Sequence, residues 1–288
     1  MTVTIPWQGA FNGLAFGPGT DVQLSDYGML RALPAIRSGD VSKPRQDGSF
    51  GGLNYLDERI FTTDLLVFAP VAAFETVVGN VATAFQNIQD PSNLLPFEVL
   101  LPGWPNSRFI NCRPTKGGLP VDVNFQFNQA SIAIELTAPD PLIYSTVLKT
   151  SSAGLPSPIA GRTFPITFPT TFGASTGGSM SVTNAGNYTT APVITITGPV
   201  TNPIVTFTNT GAFMALTITL ANTDVLVIDM GARTVTLNGT AYRFNTVVTG
   251  SSWWGIPPGT WSIGVASSDS APVTALFSTA YRDAWGWM

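Results

Sequence analysis

The sequence contains no histidine. That absence removes Ser-His-Asp triads, Cys-His pairs and every zinc or iron site that uses imidazole. Cysteine occurs once, at Cys112, so no disulfide can form within the chain, which suits assembly in a reducing cytoplasm. Without a histidine to activate it, Cys112 reads as a small buried apolar residue rather than a nucleophile. Glutamate is limited to Glu58, Glu75, Glu98 and Glu135, and nothing in the chain assembles a catalytic set. The expectation is a protein that is not an enzyme and holds no cofactor or metal.

Charge is scarce as well. Charged residues make up 10% of the chain, well below the roughly 25% of an average soluble protein. Such a surface must be covered by Thr, Ser, Asn, Gly and backbone, which suits β-structure and permanent contacts with neighbours. The 13 basic residues, mostly arginine, form no run or stripe, and the net charge is −4, so nucleic-acid binding is not expected. The start of the sequence, "MTVTIPWQGAF", has neither a basic nor an apolar leader pattern, and no secretory signal is expected. Apolar stretches such as "DLLVFAPVAAF" fall far short of the roughly 20 residues that span a bilayer.

What remains is β-pattern. From Met1 to about Ile143, strand-like segments are punctuated by Gly, Pro and Asn. In "FQFNQASIAIELTA", Ile132, Ile134 and Leu136 alternate with smaller or polar residues, the period of a strand with one buried face. One segment differs: Val71, Phe74, Val78, Val81, Phe85 and Ile88 recur at helical spacing, and Pro70 suits a first turn. An amphipathic helix is predicted from about 70 to 88. Gly79 in its middle costs about 1 kcal/mol relative to Ala, so packing must hold it.

Residues 37–59, "RSGDVSKPRQDGSFGGLNYLDER", are polar, glycine-rich and aperiodic. So long a loop in a compact domain is usually functional, and because the scarce charges concentrate here it reads as a contact segment. A domain of residues 1–148 is expected, then a Ser/Pro/Gly-dense linker at 149–164 and a second domain at 165–288. Beyond the linker about nine short strands without a helix argue for an antiparallel sandwich.

Within the second domain, Asn238-Gly239 supplies the two positive φ angles of a type I′ turn. The turn predicts Leu237 opposite Thr240 and Val235 opposite Tyr242, placing Val235, Leu237, Tyr242 and Phe244 on one core face. Trp253 and Trp254 follow; in a strand they would point to opposite faces. Core packing, a subunit interface and a sugar-stacking platform are the open alternatives for this pair. Asp224 and Asp229 flank "VLVI", but a spacing of five in a strand sets them about 16 Å apart on opposite faces, too far for a glycosidase pair at about 5–10 Å.

The ordered run "PVITITGPVTNPIVTFTNTGAFMALTITLANTDVLVIDMGARTVTLNGTAYR", then "SSWWGIPPGTWSI" and "YRDAWGW", resembles the C-terminal domain of siphophage distal tail proteins. "GLAFGPGTDVQLSDYGML", "RSGDVSKPRQDGSFGG" and "RIFTTDLLV" are similar to the N-terminal domain of that family. The resemblance implies an all-β protein with one helix: an N-terminal barrel-like or sandwich-like ring domain and a C-terminal galectin-like or carbohydrate-module-like sandwich. It further implies a virion protein at the distal end of a long non-contractile tail, assembled in the host cytoplasm. There a homohexameric ring would join the tube protein to the tail-tip hub and anchor fibres or receptor-binding proteins, with the tape measure a further neighbour. The alternative is a module that binds host-wall polysaccharide, with Trp253 or Trp254 as its contact.

Overall fold

The computed structural model describes residues 3–26, 32–86, 94–156, 178–269 and 274–287. The chain divides into two compact units, Met1–Val147 together with Trp285–Met288, and Leu148–Ala284. The first is a curled antiparallel sheet with one helix; the second is a two-sheet sandwich.

The first unit's sheet includes β1 (Gly9–Phe11), β2 (Leu14–Phe16), β3 (Val22–Asp26), β8 (Arg59–Phe68), β9 (Leu95–Val99), β10 (Arg108–Gly118), β11 (Gln129–Ala138) and β12 (Ile143–Ser145). Their order is β2-β1-β9-β10-β11-β8-β3, with β12 beside β10. The long strands carry the period-two pattern that makes one face a core. β8 buries Arg59, Phe61, Thr63, Leu65 and Val67 in alternation, and β11 buries Ala130, Ile132, Ile134 and Leu136 in register with it. Cys112 lies on this core face, fully buried, and burial pushes its thiol up.

The helix α1 (Val71–Ala84) packs Phe74, Val78, Val81 and Ala84 onto the sheet. It is shorter than the predicted 70–88. Pro70 is the N-cap, and Phe85 is the C-cap, stacked on Phe11 at 4.7 Å; Ile88 lies outside the described residues. Phe85 keeps an apolar contact without continuing the helix, so its spacing alone overstated the element.

Between β3 and β8 the aperiodic segment is a two-stranded arm rather than a loop. β4 (Ile36–Ser38) pairs with β7 (Asn54–Leu56), and further out β5 (Val41–Ser42) pairs with β6 (Ser49–Phe50). Gly39 and Gly52 separate the two ladders, and a Cβ on Gly52 would collide with the Gly39 carbonyl. Ladders this short, interrupted by glycine, leave no period to read.

The second unit comprises β13 (Lys149–Gly154), β14 (Ser179–Asn184), β15 (Val193–Thr197), β16 (Val200–Thr201), β17 (Ile204–Phe207), β18 (Ala212–Ala215), β19 (Thr219–Leu220), β20 (Val225–Asp229), β21 (Thr234–Leu237), β22 (Ala241–Tyr242), β23 (Gly259–Ala266) and β24 (Leu276–Tyr281). One sheet runs β13-β24-β15-β20-β21-β22 and the other β14-β23-β17-β18, with β16 and β19 as a separate pair. Ile194, Ile196, Ile228 and Phe277 of the first sheet share one core with Val182, Val205, Phe207 and Ile263 of the second. Part of the span read as a linker is therefore a strand, since Lys149–Gly154 pairs with β24 along its whole length. Residues 157–164 of that span lie outside the described residues. The ends of this unit are clamped together: the Lys149 ammonium sits 2.7 Å from Asp283 and also donates to the Thr183 carbonyl at 2.9 Å.

Candidate functional site

The Asn-Gly turn forms as its residue types dictate, with φ of 51° at Asn238 and 76° at Gly239. The pairing beyond it differs from the expectation. Leu237 lies opposite Ala241 and Thr236 opposite Tyr242, so Thr240 is an extra residue in the loop and every later side chain changes face. Val235 stays in the core, whereas Tyr242 is 74% exposed and Phe244 stands outside on a short 3-10 turn, Phe244–Thr246. Asn238 has a further role that the turn code does not contain. Its Oδ1 accepts from Val225 N–H at 2.9 Å, and its Nδ2 donates to Asp224 at 2.9 Å. That hydrogen bond is the main cause holding the Asp224 carboxyl below its ordinary range.

Asp224 and Asp229 are thus turn caps. The other oxygen of Asp224 accepts from Ala221 N–H, and Asp229 accepts from Gly231 and Ala232 N–H. Among the described residues no group of three or more Cys, Asp or Glu could hold a metal ion, and no helix is long and apolar enough to cross a membrane.

The Trp pair occupies irregular chain between this hairpin and the bridge of Ile256 to Thr190. Trp254 is 9% exposed and stacks on Phe207 at 5.3 Å, an anchor of the sandwich core. Its Nε1 hydrogen has no acceptor among the described residues. Trp253 is only partly buried and lies nearly parallel to Phe244, with ring centres 6.2 Å apart and planes at 15°. Together Trp253, Phe244 and the exposed Tyr242 put aromatic surface on the outside of the sandwich.

The first unit carries a second uncovered apolar surface, the arm. Phe50 is 59% and Leu53 74% exposed, and Val41, Ile36 and Tyr55 are exposed with them. The Lys43 ammonium rests over the Phe50 ring at 5.6 Å. Asp40 fixes the break between the ladders by accepting from Gly52 N–H at 2.7 Å, the main cause holding its carboxyl below the usual range. A depressed carboxyl contributes above its unfolded pKa and loses that contribution as pH falls through the folded value. The arm is therefore expected to keep constant order from pH 8 to 5 and to loosen below about pH 4. Faster amide exchange at Gly52 in acid, abolished as a pH effect in Asp40→Asn, checks this.

Two arginines that no motif singles out organise this unit. Arg59, 2% exposed, donates to the carbonyls of Pro141 (3.0 Å), Ala32 (2.7 Å) and Gly286 (2.6 Å), and burial lowers its pKa to about 10. The Arg108 guanidinium lies 4.0 Å from the Trp104 ring and 3.6 Å from that of Trp285, a cation held between two indoles. Beside the sheet, α1 and β10 enclose a cleft of about 680 Å³. Val78, Val81, Phe85, Ile132 and Ile134 form its floor, with Arg113 and Lys116 at the rim.

Among the described residues the architecture is all-β with a single α-helix and a sandwich as its second unit, as the sequence led one to expect. Residues 185–284 of that sandwich match the family of siphovirus-type tail components, C-terminal domain. The same fold occurs in the crystal structure of the Dit protein of phage SPP1, described as a paradigm of the hub of the adsorption apparatus in phages infecting Gram-positive bacteria. The likeness covers 96% of this chain and 98% of that one, with 12% identity and a TM-score of 0.65. A chain of the phage P2 baseplate in its activated conformation with calcium aligns over 91% of both chains at 11% identity and a TM-score of 0.46. None of the curated proteins matches the sequence.

Proposed function

We propose that this protein is a structural component of the distal end of a long non-contractile phage tail, present as a homohexameric ring that joins the tail tube to the tail-tip hub and anchors fibres or receptor-binding proteins. The observation that carries the reading is the family match over residues 185–284, on a chain that shares its fold over 96% of its length with an adsorption-apparatus protein. The arm supports it independently: Ile36, Val41, Phe50, Leu53 and Tyr55 stand exposed along it, apolar surface of a kind that is made to be covered. In this reading residues 1–148 build the ring, the sandwich stands outside it, and neither unit performs catalysis.

Purified virions labelled with antibody to this chain should carry gold at the tail tip in electron micrographs. Label on the capsid or along the tube, and none at the tip, would overturn the proposal.

A second reading rests on the outward aromatic group. Trp253 with Phe244 and Tyr242 offers ring faces to the C–H faces of a pyranose, so the sandwich would bind host-wall polysaccharide. Trp254, being core, is not the contact in this reading. Retention of the full-length protein on purified cell walls, lost in Trp253→Ala, would favour it over a scaffold role.

A further inference from the structure

The dipeptide Asn-Gly occurs twice in the sequence, each time at the turn of a hairpin. Asn12-Gly13 joins β1 to β2, with Phe11 opposite Leu14, and its φ angles of 46° and 83° are close to the 51° and 76° of Asn238-Gly239. All four residues are exposed. A Cβ built on either glycine would meet nothing within 4 Å, so both glycines stand in open space. In sequence, turn and exposure the two sites are equal; they differ in how the asparagine amide is held.

Asn238 is gripped at both ends. Its Oδ1 accepts from Val225 N–H and its Nδ2 donates to Asp224, each at 2.9 Å, and Asp224 is itself fixed by accepting from Ala221 N–H. Asn12 makes a single side-chain hydrogen bond among the described residues, from Nδ2 to the Ala84 carbonyl at 3.0 Å. Ala84 is the last residue of α1, and the last carbonyls of a helix lack partners within it. Asn12 therefore caps α1 with the same amide group that an Asn-Gly sequence opens to attack.

We propose that Asn12 is a site of spontaneous modification, converting to aspartate and isoaspartate and releasing the last turn of α1, whereas the grip on Asn238 protects the second Asn-Gly. The Gly13 nitrogen gives its proton to a solvent base and attacks Asn12 Cγ; a C–N bond forms, the bond from Cγ to Nδ2 breaks, and Nδ2 leaves as ammonia. Water then opens the succinimide. Hydrolysis at the side-chain carbonyl yields aspartate, and hydrolysis at the main-chain carbonyl yields isoaspartate, whose backbone is one methylene longer. No oxidant or reductant takes part. Either product sets a carboxylate against the Ala84 carbonyl in place of a donor, at the negative end of the helix dipole. At Asn238 the same attack must first break two hydrogen bonds, and it builds negative charge beside the Asp224 carboxylate. The proposal is independent of the tail-tip reading.

The test is full-length protein aged in mildly alkaline buffer, with peptides covering both sites followed by mass spectrometry that separates aspartate from isoaspartate. Each rate is divided by that of the same site in the guanidinium-unfolded chain, which cancels the influence of sequence neighbours. The normalised rate at Asn12 is expected to exceed that at Asn238 by about five-fold, the worth of one further hydrogen bond. Asp224→Ala should raise the rate at Asn238 several-fold and leave Asn12 unchanged, and the aged protein should exchange its amides faster across residues 82–86. A normalised rate at Asn238 equal to or above that at Asn12, or no isoaspartate at position 12, overturns the proposal. So does conversion at position 12 with exchange across residues 82–86 unchanged. If Asp224→Ala fails to fold, Asp224→Asn, which keeps an acceptor and removes the charge, should still raise the rate at Asn238, and an unchanged rate counts against the proposal.

Discussion

Replacing Arg59 by leucine is expected to destabilise the first unit by about 3–5 kcal/mol, because one guanidinium serves three carbonyls from three separate segments. A leucine fills part of the volume and leaves those acceptors without their donor in a site closed to water. Arg59→Lys should recover less than half of the loss, since a single ammonium cannot reproduce the spread of a planar fork. Hydrogen exchange read peptide by peptide in rising urea checks both. Protection should fall along β8, β11 and the base of the arm, while β15, β20 and β24 stay as they were. An equal loss in both units would contradict the assignment.

The two adjacent tryptophans are expected to behave oppositely. Trp254→Ala removes a ring stacked on Phe207 within the sandwich core and should cost about 3–5 kcal/mol. Trp253→Ala, at a half-covered position, should cost about 1 kcal/mol. Trp254→Phe should cost much less than Trp254→Ala, because the ring contact survives and the indole N–H that it removes has no acceptor among the described residues. Urea midpoints of the three variants, compared at constant slope, decide this. If Trp253→Ala proves as damaging as Trp254→Ala, the outward aromatic group is core and the sugar-binding reading loses its platform.

These expectations show where the sequence was legible. Alternation in β8 and β11, helical spacing in α1 and the Asn-Gly turn all repeat a local rule over enough residues to be read. The same alternation places Arg59 in line with Phe61, Leu65 and Val67, so its burial was there to be found, although its three acceptors lie up to 227 positions away and leave no local trace. The face of Tyr242 was misread because one extra residue at Thr240 inverts a period of two. The roles of Trp254 and Trp253 have no sequence signature for a related reason: irregular chain has no period, and only the packing of Phe207 and Phe244 tells the neighbours apart. The arm escaped because glycine breaks its ladders into pieces of two and three residues.

The way the chain leaves and re-enters the first unit has a mechanical meaning. The sandwich is an insertion, entered after Val147 and left before Trp285, and the last residues return to lie on Arg108 and under Arg59. A protease that cuts once anywhere inside 148–284 therefore frees nothing. The upstream fragment keeps its body, the downstream fragment keeps the docked tail, and β13 with β24 and β14 with β23 hold the halves of the sandwich together. The second unit is thus held by two attachments, and it is lost only when both are severed.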